Sequence, residues 1–105
     1  MTNETVQVAI IMGSDSDLPV VEAIFPILDS FGVKYTKNVM SAHRTPHDVM
    51  ELISESEKKG CKVFIAAAGM AAHLAGAVAA HSTRPVIGIP IESGGMGGID
   101  SLLST

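Results

Sequence analysis

The sequence predicts an α/β domain: a doubly wound, three-layer α/β/α arrangement around a central parallel sheet. Three observations lead there. Short, nearly unbroken apolar runs rich in Val, Ile and Ala recur at residues 6–12, 62–67 and 86–90, as strands buried on both faces require. Between them lie segments with apolar residues at helical spacing, and Gly, Ser, Asp and His gather where the strands hand over to helices. Alternation of this kind implies βαβ units, right-handed crossovers and one parallel sheet.

Residues 6–12 form the first expected strand, which ends at Gly13-Ser14-Asp15-Ser16-Asp17. After it Val21, Ile24, Phe25, Leu28 and Phe31 recur at helical spacing. Ser16 or Asp17 is placed to cap that helix, Pro19 suits its first turn and Gly32 ends it. Pro26 removes a backbone donor inside the helix, so a kink or irregularity is expected there. Residues 33–40 read as a second strand with Val33, Tyr35 and Val39 on one face, and its loose alternation is that of an edge strand.

Thr45 as N-cap, Pro46 at the first helical position and an acid, Asp48, three residues after the cap make a strong helix start. That helix runs through Val49, Met50 and Ile53 to Lys58-Lys59-Gly60, with cations near its negative end. Residues 62–67 are the third strand, 70–82 an alanine-rich helix and 86–90 the fourth strand. The glycine-rich run at 94–98 is expected to be a mobile loop, with Asp100 capping a fragment that stops at Thr105 in what should be the first turn of a helix.

A chain of 105 residues is enough for one compact domain with a thin core. The formal net charge of -4 leaves no broad basic face, so nucleic acid is excluded as a partner and any bound anion must be small and locally gripped. Cys61 is the only cysteine, which rules out an internal disulfide and a cysteine-rich zinc site and fits a reducing, cytoplasmic setting. The N-terminus has no signal-peptide pattern and no apolar run approaches the roughly 20 residues needed to cross a bilayer, so a soluble protein without a membrane partner is expected. There is no Trp, one Tyr and only three Phe. The core must therefore be built from Val, Ile, Leu, Ala and Met, and the shortage of large side chains points to burial against other subunits.

Three strand-to-helix junctions carry the chemistry, and junctions on the carboxyl edge of an open α/β sheet converge on one pocket. The Gly13–Asp17 run is neither a Walker loop nor a dinucleotide fingerprint. It is either a capped helix with incidental serines or a cradle whose amides and hydroxyls face outward to hold one phosphate, with Asp17 placed to accept ribose hydroxyls. In Ser41-Ala42-His43-Arg44-Thr45-Pro46, His43 can move a proton near neutral pH and Arg44 can fork onto a phosphate; a lone histidine before a helix is more often a cap or surface residue, and its place opposite a Ser-rich loop reverses that reading. In Gly69-Met70-Ala71-Ala72-His73-Leu74, Gly69 permits close backbone approach, and His73 in the first helical turn faces either a pocket or a carbonyl. His47 and His81 read as ordinary surface or helix-end residues. No pair of His, Asp or Glu has metal-ligand spacing, so neither a metal nor another cofactor is expected.

In this order and spacing, G-S-D-S-D, S-A-H-R-T-P, A-A-G-M-A-A-H-L-A-G, P-V-I-G-I-P and G-I-D-S-L-L-S resemble the 5-(carboxyamino)imidazole ribonucleotide mutases, catalytic subunits of the phosphoribosylaminoimidazole carboxylase family of purine biosynthesis. The resemblance covers essentially the whole chain and implies a flavodoxin-like fold. It also implies an activity that moves a carboxyl group from the exocyclic nitrogen of an imidazole ribonucleotide to the ring carbon, without ATP, biotin or metal. By it, Ser14, Ser16, Ser41 and Arg44 match positions around the phosphate and Asp17 the ribose-contacting acid. His43 matches the general acid/base, with Ala42 beside it. Gly69, Ala71, Ala72, His73 and Leu74 match the loop confining carbon dioxide and the heterocycle, although Met70 and Ala75 stand where Gly and Pro are usual. The resemblance further implies a homo-octamer, functional coupling to the ATP-dependent carboxyaminoimidazole ribonucleotide synthetase, and a further strand and C-terminal helix beyond Thr105.

Other readings are a branch that carboxylates aminoimidazole ribonucleotide directly with carbon dioxide, a flavodoxin-like binding module and a phospho-receiver domain. The binding module lacks aromatics to sandwich a flavin. The receiver lacks an acceptor Asp at the end of the third strand, where Ala67 and Ala68 stand.

Overall fold

In the computed structural model, which describes residues 5–40, 46–69 and 73–91, four parallel strands form one sheet in the order β2-β1-β3-β4. They are β1 (Val8–Met12), β2 (Tyr35–Val39), β3 (Val63–Gly69) and β4 (Val86–Ile91). The expected strands are all present, with ends shifted by one or two residues, and β2 lies on an edge as its loose alternation suggests. Every residue of β1 is buried, because this strand is central and both of its faces carry helices.

Side-chain alternation divides the core into two layers. On one face Ala9, Ile11, Phe64 and Ala66 pack with Val49 and Ile53 of α3 (Pro46–Lys58) and with Leu74, Ala75 and Val78 of α4 (Leu74–Ala80). On the other face Val8, Ile10, Met12, Ile65, Ala67 and Ile91 meet Val21 of α1 (Leu18–Val21), with Phe25 and Leu28 of α2 (Phe25–Ser30) packed against them. The chain is thus the doubly wound α/β/α layer structure that the alternation predicts. Cover on the second face is thinner at the β4 edge, where Ile87 remains 53 % exposed.

The first helical segment is broken rather than merely kinked. A 3-10 turn at Glu22–Ile24 separates α1 from α2. Pro26 offers no N–H to the Glu22 carbonyl, and the Phe25 N–H takes that carbonyl in the shorter bond instead. The helix ends follow the glycines. Gly32 (φ 68) and Gly60 (φ 87) are left-handed. At each, the glycine N–H bonds a carbonyl three residues back, to Asp29 and Glu57 respectively. The next residue bonds one five back, Val33 to Leu28 and Cys61 to Ser56. Both ends are therefore Schellman caps.

The alanine-rich helix starts later than expected. Its described part is Leu74–Ala80, with His73 at the N-cap rather than inside the first turn and His81 at the C-cap in place of Ser82. Ser82 is drawn off to donate to Glu57 Oε2 on α3, while Arg84 Nε donates to the Cys61 carbonyl at 3.0 Å. Together these tie the entry to β4 onto the end of α3. The expected loop at 94–98 and the Asp100 cap lie outside the described residues.

Candidate active site

Parallel pairing places the carboxyl ends of all four strands on one edge. From β1 the chain passes to β2 on one side, whereas β3 lies on the other, so the order reverses between β1 and β3. Such a reversal opens a crevice between diverging loops. The Gly13 N–H bonds the Ala67 carbonyl at 2.9 Å, holding the exit of β1 against β3. The Met40 N–H bonds the Met12 carbonyl at 2.8 Å, so the chain leaves β2 beside the first loop. Backbone ladders alone thus bring the starts of all three junctions to one place.

The first junction is the best described. Ser14, extended at φ -153, is the N-cap of a 3-10 turn at Asp15–Asp17 that runs into α1; Asp17 holds the expected N-cap position of α1, but its side chain makes no cap bond there and the capping hydroxyl is that of Ser14. Asp17 closes a capping box, its Oδ2 accepting the Ser14 N–H at 3.2 Å and its own N–H reaching the Ser14 side chain; that N–H also bonds the Ser14 carbonyl at 3.0 Å. Ser14 Oγ accepts the Ser16 N–H at 3.2 Å and lies 2.9 Å from Ser16 Oγ. The signal was present in the sequence as a serine followed three residues later by an acid. Three equivalent-looking polar residues obscured which one caps.

This bonding changes the expected cradle. The amides of Gly13, Ser14, Ser16 and Asp17 are all engaged within the protein, so they do not stand open as at a bare helix N-terminus. What the loop presents at the exposed edge is the pair of serine hydroxyls with Asp15 between them. Asp17 is 8 % exposed. Burial pushes its carboxyl above the usual 3.8, and the bond from the Ser14 amide opposes that rise.

At the third junction Gly69 closes β3, paired with Ile91, and His73 is exposed at the N-cap of α4 with its carbonyl accepting the Ala77 N–H at 3.0 Å. Leu74 is 2 % exposed and belongs to the α3–α4 core layer, so its side chain anchors the helix rather than lining the edge. The structure therefore gathers Ser14, Ser16, Asp17, Gly69 and His73 at one edge of the sheet. Ser41, Ala42, His43, Arg44, Ala71 and Ala72 lie outside the described residues. Among the described residues no group of three His, Cys, Asp or Glu could hold a metal ion.

A hollow of about 370 Å³ lined by Asp29, Gly32, Val33, Lys34, Tyr35 and Lys37 lies at the opposite, amino end of β2. The Lys37 ammonium there sits 4.6 Å from the centre of the Phe25 ring, which stacks on Tyr35. Its position away from the strands' carboxyl ends sets it apart from the junctions.

The AIR carboxylase family profile matches residues 7–105. The chain belongs to the AIR carboxylase family. Among its relatives, the N5-carboxyaminoimidazole ribonucleotide mutase of Pyrococcus horikoshii is 51% identical over 104 residues, covering 99% of this chain and 59% of that protein. The phosphoribosylaminoimidazole carboxylase of Candida albicans is 52% identical over 101 residues, 96% of this chain but 18% of that protein. The crystal structure of Treponema denticola PurE superposes with a TM-score of 0.84 at 34% identity, covering 92% of this chain and 63% of that one. This family member thus shares the fold of that structure, and it spans less than two thirds of the length of the relatives and structure it matches.

Proposed function

We propose that this chain carries the catalytic domain of an N5-carboxyaminoimidazole ribonucleotide mutase of purine biosynthesis. The observation that carries the reading is the match of 51% identity across nearly the whole chain to a protein of that name. The paired hydroxyls of Ser14 and Ser16 at the carboxyl edge of the sheet support it, since they suit the phosphate of a ribonucleotide.

In this reading Ser14, Ser16, Ser41 and Arg44 hold the phosphate, and Asp17 serves the ribose. Ala42, Gly69, Ala71, Ala72 and His73 form the walls that exclude water around the heterocycle, and Leu74 anchors the helix behind them from the core. His43 supplies a proton to the exocyclic nitrogen as the nitrogen–carboxyl bond breaks and carbon dioxide leaves. The ring carbon then attacks that carbon dioxide, and His43 takes back the proton the carbon loses. One imidazole serves both half-reactions, and no proton or electron is gained or lost overall. The same reading places the protein in the cytoplasm, in a homo-octamer with pockets at subunit junctions, receiving its substrate from an ATP-dependent synthetase.

The test is conversion of N5-carboxyaminoimidazole ribonucleotide to 4-carboxy-5-aminoimidazole ribonucleotide, alongside a reaction offering aminoimidazole ribonucleotide with carbon dioxide. Turnover of the first and not the second is expected, with His43→Asn abolishing it while nucleotide affinity stays within about tenfold. Turnover only of the second would assign the chain to the direct carboxylases; undiminished activity in His43→Asn would remove the histidine from its role.

A further inference from the structure

We propose that Asp17 is a positioning residue for the proposed phosphate end of the site: by gripping the Ser14 amide it fixes the Ser14 and Ser16 hydroxyls as one unit at the sheet edge. This inference rests on the ribonucleotide reading above and adds a role that is separate from any contact Asp17 makes with a sugar.

The geometry is a chain of dependence. Asp17 Oδ2 holds the Ser14 N–H (3.2 Å) and the Ser14 carbonyl holds the Asp17 N–H (3.0 Å), so residues 14 to 17 close into a ring of two bonds. Inside that ring Ser14 Oγ takes the Ser16 N–H and comes within 2.9 Å of Ser16 Oγ. Removing the Asp17 acceptor frees the Ser14 amide, and Ser14 is then held only through its carbonyl and its own hydroxyl, by the Asp17 and Ser16 N–H groups. Both serines are exposed while Asp17 is buried. The hydroxyls are therefore the part a phosphate meets, and the carboxylate is the part that holds them.

The carboxylate is also an unexpected choice beside an anion. Its charge opposes phosphate and is itself disfavoured by burial, so what recommends it here is the acceptor oxygen rather than the charge. An amide of the same shape supplies that oxygen. This separates positioning from direct contact: Asp17→Asn keeps the grip on Ser14, Asp17→Ala loses it, and inorganic phosphate reports on the serines without any sugar.

The experiment measures two quantities in the whole chain and both variants: hydrogen exchange of the Ser14 amide, and affinity for inorganic phosphate by NMR titration. Wild type and Asp17→Asn should protect the Ser14 amide alike and bind phosphate within about threefold of one another. Asp17→Ala should lose protection and phosphate affinity by about tenfold each, the loss expected for one hydrogen bond in a partly buried loop. A Ser14 amide still protected in Asp17→Ala overturns the positioning role, as does an Asp17→Asn variant that behaves like Asp17→Ala. Absence of phosphate binding by the wild-type chain sinks the ribonucleotide reading instead, and the inference with it. Because neither readout needs turnover, loss of the mutase activity alone leaves both results interpretable.

Discussion

Gly32 and Gly60 offer a matched pair in which one substitution isolates backbone strain and the other adds a steric contact. Both are left-handed, at φ 68 and φ 87, and both supply the N–H bonds that close a helix. A left-handed L residue costs about 1–2 kcal/mol, and the stiffer unfolded chain of an alanine variant offsets roughly 0.4–1 of that. Gly32→Ala should therefore lose about 1 kcal/mol, because a Cβ there meets nothing within 4 Å. At Gly60 the same Cβ would stand 2.9 Å from Thr5 Cγ2, closer than such atoms approach. Thr5 is exposed and precedes β1, so it can turn aside in part, and the added cost should lie near the low end of overpacking, about 1 kcal/mol. Urea unfolding should place Gly60→Ala about 2 kcal/mol below wild type, with an unchanged slope. Thr5→Ser, which deletes the offending methyl, should restore about half of that loss in the Gly60→Ala background and none in the Gly32→Ala background. Equal losses for the two glycine variants, or no rescue by Thr5→Ser, would refute the contact and with it the packing of the segment before β1 against the end of α3.

Burial elsewhere in the fold sets three other outcomes. Burial holds the Asp17 carboxyl above 3.8, so the folded chain binds more protons than the unfolded one between that value and its raised pKa; stability should fall as pH rises through this window, and Asp17→Asn should flatten that part of the pH–stability curve measured by urea unfolding. Cys61 is fully buried, its thiol donates to the Val63 carbonyl at 3.3 Å and burial pushes its pKa up from 9.0; alkylation by iodoacetamide at neutral pH should proceed only as fast as the chain opens, and labelling at the free-thiol rate would contradict this packing. Phe64 is fully buried in β3, and Phe64→Ala should cost about 3–5 kcal/mol by calorimetry or urea unfolding, with a loss under about 1 kcal/mol counting against the described core.

Where the sequence could be read correctly, a strong physical preference acted locally. The buried strands announce themselves because a strand covered on both faces has no polar side to display, and β1 is buried at every residue. Gly32 and Gly60 mark helix ends because few other residues take their dihedral angles. Pro26 removes a donor that the preceding turn needs, although the sequence did not reveal that the break would take the form of a 3-10 turn ending two residues earlier. The start of α4 was misplaced because alanine favours helix throughout 70–82, and propensity alone does not say where a helix begins. Leu74 was assigned to the pocket by its neighbours in the motif, whereas its helical phase turns it into the core.

The first loop shows why the place of a candidate site can be read from sequence while the donors it offers cannot. Position depends on topology: once β1 and β3 pair in parallel and β2 lies on the other side of β1, the junctions after these strands share one edge whatever their residues. Chemistry depends on which donors the loop has already used, and that is decided by bonds over two or three residues among near-equivalent Ser and Asp side chains. Of the two readings of G-S-D-S-D, the cradle of outward amides and hydroxyls counts amide donors that Asp17, Ser14 and Ala67 have already taken, whereas the capped helix accounts for those bonds. The hydroxyl pair and Asp15 are what these bonds leave at the surface, and the geometry of the pair is tied to the buried acid behind it. A loop of this composition therefore gains its binding character from the order in which its own polar groups are satisfied, and exchanging Ser and Asp positions within it should move the site's chemistry without moving the site.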